Sequence, residues 1–229
     1  MFNIFSELRD EIKRRVNRPD LDNEYIKRIV NEAIAYVDRL NLWFFQEEII
    51  SINVGGGNYI LDYDVLTAKI KSIKKIYYNK PGKPNLFLSL LPVSSKDEAI
   101  MLIGDASASN EVPQINNELF GGFYYLEAGK IKTYPPILVS VDTIFLNVFK
   151  YIELIVHDSQ TNYLIKNYPF LLINYAIMII YKDLEVYDVA EEYKKLFEEE
   201  LKALYFANMS VYKEVNPNEL FRITTENNQ

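Results

Sequence analysis

Two carboxylates are the residues of this sequence best suited to metal chemistry. Asp62 and Asp64 flank a tyrosine, and carboxylate oxygens are the ligands that hard divalent cations prefer. The surrounding sequence lacks the glycine and the terminal glutamate of an EF-hand loop, which favours a solvated turn after a strand. A metal-dependent enzyme that uses Asp62 and Asp64 stays open as an alternative function.

A second cluster combines the residue types of a catalytic triad. His157, Asp158 and Ser159 are consecutive, but sequence neighbours rarely reach triad geometry, and the chain has no G-x-S-x-G elbow. The glycine run 55–57 matches neither common phosphate-binding pattern and indicates a hairpin turn. Because the chain has no cysteine and one histidine, thiolate chemistry and most zinc chemistry are excluded. We therefore predict no catalytic, metal or cofactor-binding residues, and a protein that is not an enzyme.

The overall charge and the apolar stretches limit the classes of partner. A formal net charge of -7 and a sequence pI near 5.0 disfavour a surface that collects nucleic acid by neutralising phosphates. The most apolar stretch, residues 170–181, contains Asn174 and is shorter than the roughly 20 residues that cross a bilayer. The charged N-terminus lacks the apolar core of a secretory signal. We expect a protein made in the cytoplasm, without membrane contact.

Helical periodicity marks both ends of the chain. Apolar stripes predict helices over residues 4–16 and 22–41, the second with an N-cap at Asp22 or Asn23. Two more helices are predicted over residues 170–184 and 189–207. In the last helix the glutamates should face water and pair with lysines three or four residues away.

The middle of the chain has the two-residue period of β-strands. Trp43-Phe44-Phe45 precedes this region and would either seal the junction between a helix and a sheet or form an exposed interaction patch. The predicted elements that follow are strands at 50–54, 59–61 and 70–78, a capped helix at 94–102, a hairpin over 123–134 and a long strand over 145–156.

This order of elements predicts an α+β fold, in which the N- and C-terminal helices form an antiparallel helical bundle with an inserted β-rich region. The expected divisions are residues 1–45 and 158–207 for the bundle, 46–157 for the β-rich insert and 208–229 for an extended C-terminal arm. Pro217 breaks any helix in the arm, and its apolar residues have no evident core to enter. We predict that four arm residues bind a partner: Val215, Leu220, Phe221 and Ile223.

The arrangement of these segments resembles the head-to-tail adaptor proteins of tailed bacteriophages. The resemblance covers most of the chain and depends on the order and spacing of motifs that describe packing and turns. The motifs are NEAIAYVDR followed by LWFF, then YILD, IKSIKKIYY, LLPVSSKDEAI, FYYLEAGKIKTYPP and the helix pair YPFLLINYAIMIIYKDLEVYDVAEEYKKLFEEELKAL. The chain departs from the pattern in its loop region at 104–122 and in its C-terminal extension.

The resemblance implies a structural virion protein at the head-tail junction, made in the host cytoplasm. Adaptors of this kind form an oligomeric ring, here expected to be twelvefold, between the portal protein and the tail or neck protein below it. The ring extends the DNA channel, and an acidic wall would let DNA pass without specific binding. Another tail or neck completion protein is the alternative within the same class. We also expect the purified chain to be monomeric or weakly associated until it meets the portal.

Overall fold

The structure, a computed structural model, describes residues 2–53, 63–80, 83–103, 114–115, 118–134 and 143–212. The chain forms two compact units, one of residues Met1–Phe45 with Ile152–Gln229 and the other of Gln46–Tyr151. We refer to them as the helical unit and the sheet unit.

The described helices and strands follow the chain from one unit into the other and back. The helices are α1 (Phe5–Val16), α2 (Asn23–Leu40), α3 (Lys96–Ile103), α4 (Tyr163–Asn167), α5 (Pro169–Asp183) and α6 (Tyr187–Val211), with a short 3-10 helix at Phe44–Gln46. The strands are β1 (Glu47–Asn53), β2 (Tyr63–Asp64), β3 (Ile70–Lys80), β4 (Lys83–Pro92), β5 (Gln114–Ile115), β6 (Glu118–Glu127), β7 (Lys130–Tyr134) and β8 (Thr143–Lys150).

The helical unit is built around α5. Four consecutive residues of α5, from Leu171 to Asn174, are buried, so the first half of this helix is enclosed, whereas Lys182 near its end is exposed. Helices α1, α2, α4 and α6 all contact it. One apolar core joins the N-terminal and C-terminal helices, as the matching stripes predicted; among its fully buried members are Leu8 and Ile12 of α1, Ile29 and Ile34 of α2, and Leu204 of α6.

The sheet unit is a mixed sheet rather than a set of local hairpins. Seven strands lie in the order β1-β8-β3-β4-β6-β7-β2, and the short β5 pairs with β6. The β4–β6 pair is parallel and the others are antiparallel. One face carries the main apolar core, which includes Ile76, Leu88, Ile131, Ile144 and Leu146. Within the same unit, Ala99 of α3 packs with Phe123, Tyr125 and Tyr134 in a second, smaller core.

The expected fold class, an antiparallel helical bundle with a β-rich insert, is wrong. The described chain is a mixed α/β protein in which the sheet is a unit of similar size to the helical one. Periodicity identified strands but not their long-range partners: β1 pairs with β8, so Glu47 lies opposite Phe149.

Two turn assignments are confirmed in detail. Asp22 caps α2 by accepting a hydrogen bond from the backbone N–H of Tyr25 at 3.1 Å. The hairpin of β6 and β7 turns at Ala128 and Gly129, whose φ values of 51° and 78° fit the left-handed geometry of a tight hairpin turn.

The strand predicted over 145–156 ends at Lys150. Beyond it, side chains of α2 take the hydrogen bonds that a neighbouring strand would make. The Asn31 amide accepts from Ile155 N–H at 2.7 Å and donates to Ile155 C=O at 2.9 Å, and Asp38 accepts from Ile152 N–H at 3.2 Å. The alternation of this segment therefore reflects Ile155 entering the helical core and not sheet pairing.

Candidate interaction surfaces

The candidate metal site at Asp62 and Asp64 is only partly within the described residues, because Asp62 lies outside them. Asp64 is the last residue of β2, and its carboxylate accepts hydrogen bonds from Leu66 N–H at 2.8 Å, from Thr67 N–H at 3.1 Å and from the Thr67 hydroxyl at 2.8 Å. These donors, the Thr67 N–H first, lower the pKa of the Asp64 carboxyl. Its oxygens therefore close the turn into β3. The glycine run 55–57 lies outside the described residues.

The residues 157–159 do not form a triad. Asp158 pairs with Arg9 of α1, and its backbone C=O accepts from Ser6 N–H at 3.0 Å. No hydrogen bond among the described residues joins the His157 imidazole to Asp158 or Ser159. This turn anchors the start of α1. Across the part of the chain that is described, no three histidine or carboxylate side chains are grouped to hold a metal ion.

Trp43 seals the helical unit from within. It is fully buried and donates from Nε1 to Val37 C=O at 2.8 Å, and its ring lies 4.9 Å from that of Tyr205 in α6. The buried Asn208 completes this attachment by accepting from Phe44 N–H at 2.7 Å and donating to Leu42 C=O at 3.2 Å. Of the two interpretations of the aromatic cluster, an exposed patch does not hold for Trp43.

A groove of about 480 Å³ runs between α2, α5 and α6. The groove is lined by the rings of Tyr36, Tyr175 and Phe197. The centroid of the Phe197 ring lies 5.9 Å from that of Tyr36 and 5.3 Å from that of Tyr175. Burial raises the pKa of the Tyr175 hydroxyl, which stays protonated and available as a donor. Lys194 and Glu198 line its polar margin.

The sheet carries aromatic side chains on the surface opposite its main core. Tyr77 of β3 lies opposite Phe145 of β8, with stacked rings 5.3 Å apart, and Phe87 of β4 meets Tyr77 edge-on at 5.4 Å. Alternation along the strands places them there, because their neighbours Ile76 and Leu88 point into the core. Phe87 is 47% exposed, and Ile49 of β1 is 56% exposed. We name these four residues the aromatic face: Ile49, Tyr77, Phe87 and Phe145.

Helix α6 also presents a surface to solvent. Glu192, Glu199 and Phe206 are spaced by seven residues and so share one line, on the side away from the buried Phe197 and Leu204. Phe206 is 71% exposed. We name this line the outer line of α6. The expected pairing of the α6 glutamates is only partly confirmed, since Glu191–Lys194 at 3.3 Å is the only ion pair of an α6 carboxylate within the described residues.

The predicted partner-binding residues Val215, Leu220, Phe221 and Ile223 lie outside the described residues. The helix α6 runs to Val211, so residues 208–211, which were assigned to the extended arm, are helical. None of the described helices combines the length and apolarity needed to cross a membrane.

Both compact units present exposed apolar side chains, among them Phe87 in the sheet unit and Phe206 in the helical unit. A family model described as SU10 adaptor protein matches residues 3–218, nearly the whole chain. The chain therefore belongs to the SU10 adaptor protein family. This membership makes it a phage structural adaptor, implies a location in the virion, and confirms the resemblance to head-to-tail adaptors. No curated protein matches the sequence.

Proposed function

We propose that this protein is the head-to-tail adaptor of its phage. Copies of the chain form a closed ring of twelve subunits that docks beneath the portal protein and receives the next tail or neck protein. The observation that carries the proposal is the family match, which extends from residue 3 to 218 and so includes both units. The protein acts as a structural part and not as an enzyme.

A closed ring of identical subunits requires two different surfaces on each subunit, because every contact is head to tail. The described chain offers such unlike surfaces: the aromatic face belongs to the sheet unit and the outer line of α6 to the helical unit. The net charge of -7 gives a channel wall that repels DNA, so the genome passes without specific binding.

The C-terminal arm supplies the contact with the portal or with the neighbouring subunit. Val215, Leu220, Phe221 and Ile223 are apolar and follow Val211, the last residue of α6. Burying these four apolar side chains on a partner would stabilise the complex, because apolar surface leaves water. Ending the chain after Tyr212 leaves α6 whole and removes the arm, and should reduce the yield of portal-bound rings. A full-length control in which these four residues are changed to serine should form portal-bound rings in a yield as low as that of the shortened chain. An unchanged ring yield in both variants would exclude the arm as a docking element.

The proposal is tested by mixing the purified protein with the portal protein of the same phage and measuring particle mass. We expect the protein alone to be monomeric or weakly associated at micromolar concentration, and twelve copies to bind each portal ring. Failure to bind the portal contradicts the proposed function. A stable closed ring of the isolated protein contradicts only the expectation that assembly begins on the portal.

A further inference from the structure

The groove between α2, α5 and α6 has an apolar lining that is open to solvent, and we name it the α6 groove. Its apolar lining consists of Tyr36, Tyr175, Met178, Phe197 and Leu201. Tyr187 lines it where α6 begins, and 62% of this side chain is exposed. Rings and aliphatic side chains in a groove between packed helices are typical of a surface that binds a short polypeptide segment.

The polar groups of the α6 groove indicate what kind of segment it can bind. The charges of its described lining residues balance, since they are Lys182, Lys194, Glu191 and Glu198. A strongly charged partner therefore gains no net attraction. No hydrogen bond within the described residues uses the hydroxyl groups of Tyr36, Tyr175 and Tyr187. These hydroxyls can donate to the backbone carbonyls of an extended segment, so the groove fits a nearly neutral, apolar stretch of polypeptide.

The chain contains such a stretch beyond the end of α6. Residues 220–225, LFRITT, have a single charged side chain, Arg222, and are rich in residues with high β propensity. Alternate side chains of an extended segment point the same way, so Phe221 and Ile223 would share one side. This stretch lies outside the described residues and also outside the family match, which ends at residue 218. Membership of the family therefore does not explain it.

The length of the arm decides which chain can fill the groove. Leu201 is the groove residue of α6 nearest to Val211, the end of the helix, and ten residues of helix span about 15 Å. Phe221 follows Val211 by ten residues, which span about 33 Å when extended. The arm can therefore reverse direction and enter the groove of its own chain. Val215 follows Val211 by four residues, which span about 13 Å, so it does not reach the groove.

We propose that the α6 groove binds the C-terminal arm of the same chain, with Phe221 and Ile223 packed among the lining rings. Because the arm is tethered, its effective concentration is about millimolar, far above that of a second copy at micromolar concentration. The arm of the free protein occupies its own groove and leaves it when it docks on the portal or on a neighbouring subunit in the proposed assembly. The contact itself requires no ring, so it is tested separately from the proposed function.

Binding of a labelled peptide to full-length protein tests this contact. The peptide consists of residues 213–229, and its binding is measured by fluorescence anisotropy. The arm variant, Phe221→Ser with Ile223→Ser, should leave its groove open and bind the peptide about tenfold or more tightly than the wild-type protein, whose own arm competes. Val215→Ser is the matched control. It should bind the peptide as weakly as the wild-type protein does, because Val215 does not reach the groove.

A further variant shows where the peptide binds. The groove variant adds Met178→Ser and Tyr187→Ser to the arm variant and should lose peptide binding. If circular dichroism shows that it is unfolded, Tyr187→Ser alone replaces it, since that side chain is mostly exposed. Equal peptide binding by the arm variant and the wild-type protein, or by the arm variant and the folded groove variant, overturns the inference. Failure of the wild-type protein to bind the portal contradicts the proposed function instead.

Discussion

Replacing Leu204 by alanine tests whether α6 is held by the core that the N-terminal helices share. Leu204 is completely buried, and its core cluster includes residues of α1, α2 and α5. Removing a buried leucine side chain down to its Cβ usually costs about 2 to 5 kcal/mol of unfolding free energy, depending on how far the site can collapse. We expect Leu204→Ala to lie in this range because Leu204 is completely buried and α6 packs closely against the central helix α5.

The same helix offers a matched control. Leu196 is 44% exposed, so Leu196→Ala changes the same atoms and the same helix propensity with less loss of packing. Its cost should stay below about 1 kcal/mol. The difference between the two variants therefore measures burial alone, without the effect of placing alanine in a helix.

The protein contains its own probe for this measurement. Trp43 is the only tryptophan, and its ring lies 4.9 Å from Tyr205 of α6, so its fluorescence reports the release of α6 from the helical unit. Urea titrations followed by tryptophan emission give the free energy of unfolding of each variant. Equal values for Leu204→Ala and Leu196→Ala would refute the shared core.

Three further changes have outcomes set by the structure. Asn208→Ala should lower stability by about 1 to 3 kcal/mol in the same urea assay, because Leu42 C=O and Phe44 N–H lose a buried partner; a change of a few tenths would contradict the attachment of α6. Gly121→Ala should lower the unfolding free energy by about 1 to 3 kcal/mol, measured by calorimetry, because the new Cβ would lie 2.8 Å from a ring carbon of Tyr78. An unchanged unfolding free energy would show that the Tyr78 ring can move away without cost. Hydrogen bonds from Arg14, and to a smaller extent from Arg15, lower the pKa of the Glu11 carboxyl to about 2. The wild-type protein should therefore be more stable than Glu11→Gln above pH 4.5, and this difference in unfolding free energy should disappear as the pH falls towards 2. A difference that stays constant over that pH range would contradict the pairing.

Local signals in the sequence were enough to find most elements and several turns. The Asp22 cap, the helical stripes and the hairpin at Ala128 and Gly129 depend on neighbours within a few residues, and they are confirmed. The segment after Lys150 was wrongly assigned to a strand because its alternating pattern gave no sign that Asn31 would bind both backbone groups of Ile155. That interaction joins residues 124 positions apart.

The surfaces were harder to predict than the elements. The aromatic face exists because β3 and β8 pair, which brings Tyr77 opposite Phe145, and periodicity does not reveal which strands will be partners. The lysine-rich stretch from Val65 to Ser95 was a signal that could have drawn attention to this surface. For α6 the sequence showed the acidic residues, but the expected neutralisation by lysines holds within the described residues only at Glu191.

The central claim is that this chain forms a ring directly beneath the portal of its phage. Electron cryo-microscopy of intact virions, at a resolution that shows side chains, tests it most directly. We expect density for the sheet unit and the helical unit, repeated around the channel between portal and tail. The single tryptophan, Trp43, and the stacked rings of Tyr77 and Phe145 would identify the chain in that density. Finding these units elsewhere in the virion, or a head-tail junction built from other chains only, would contradict it.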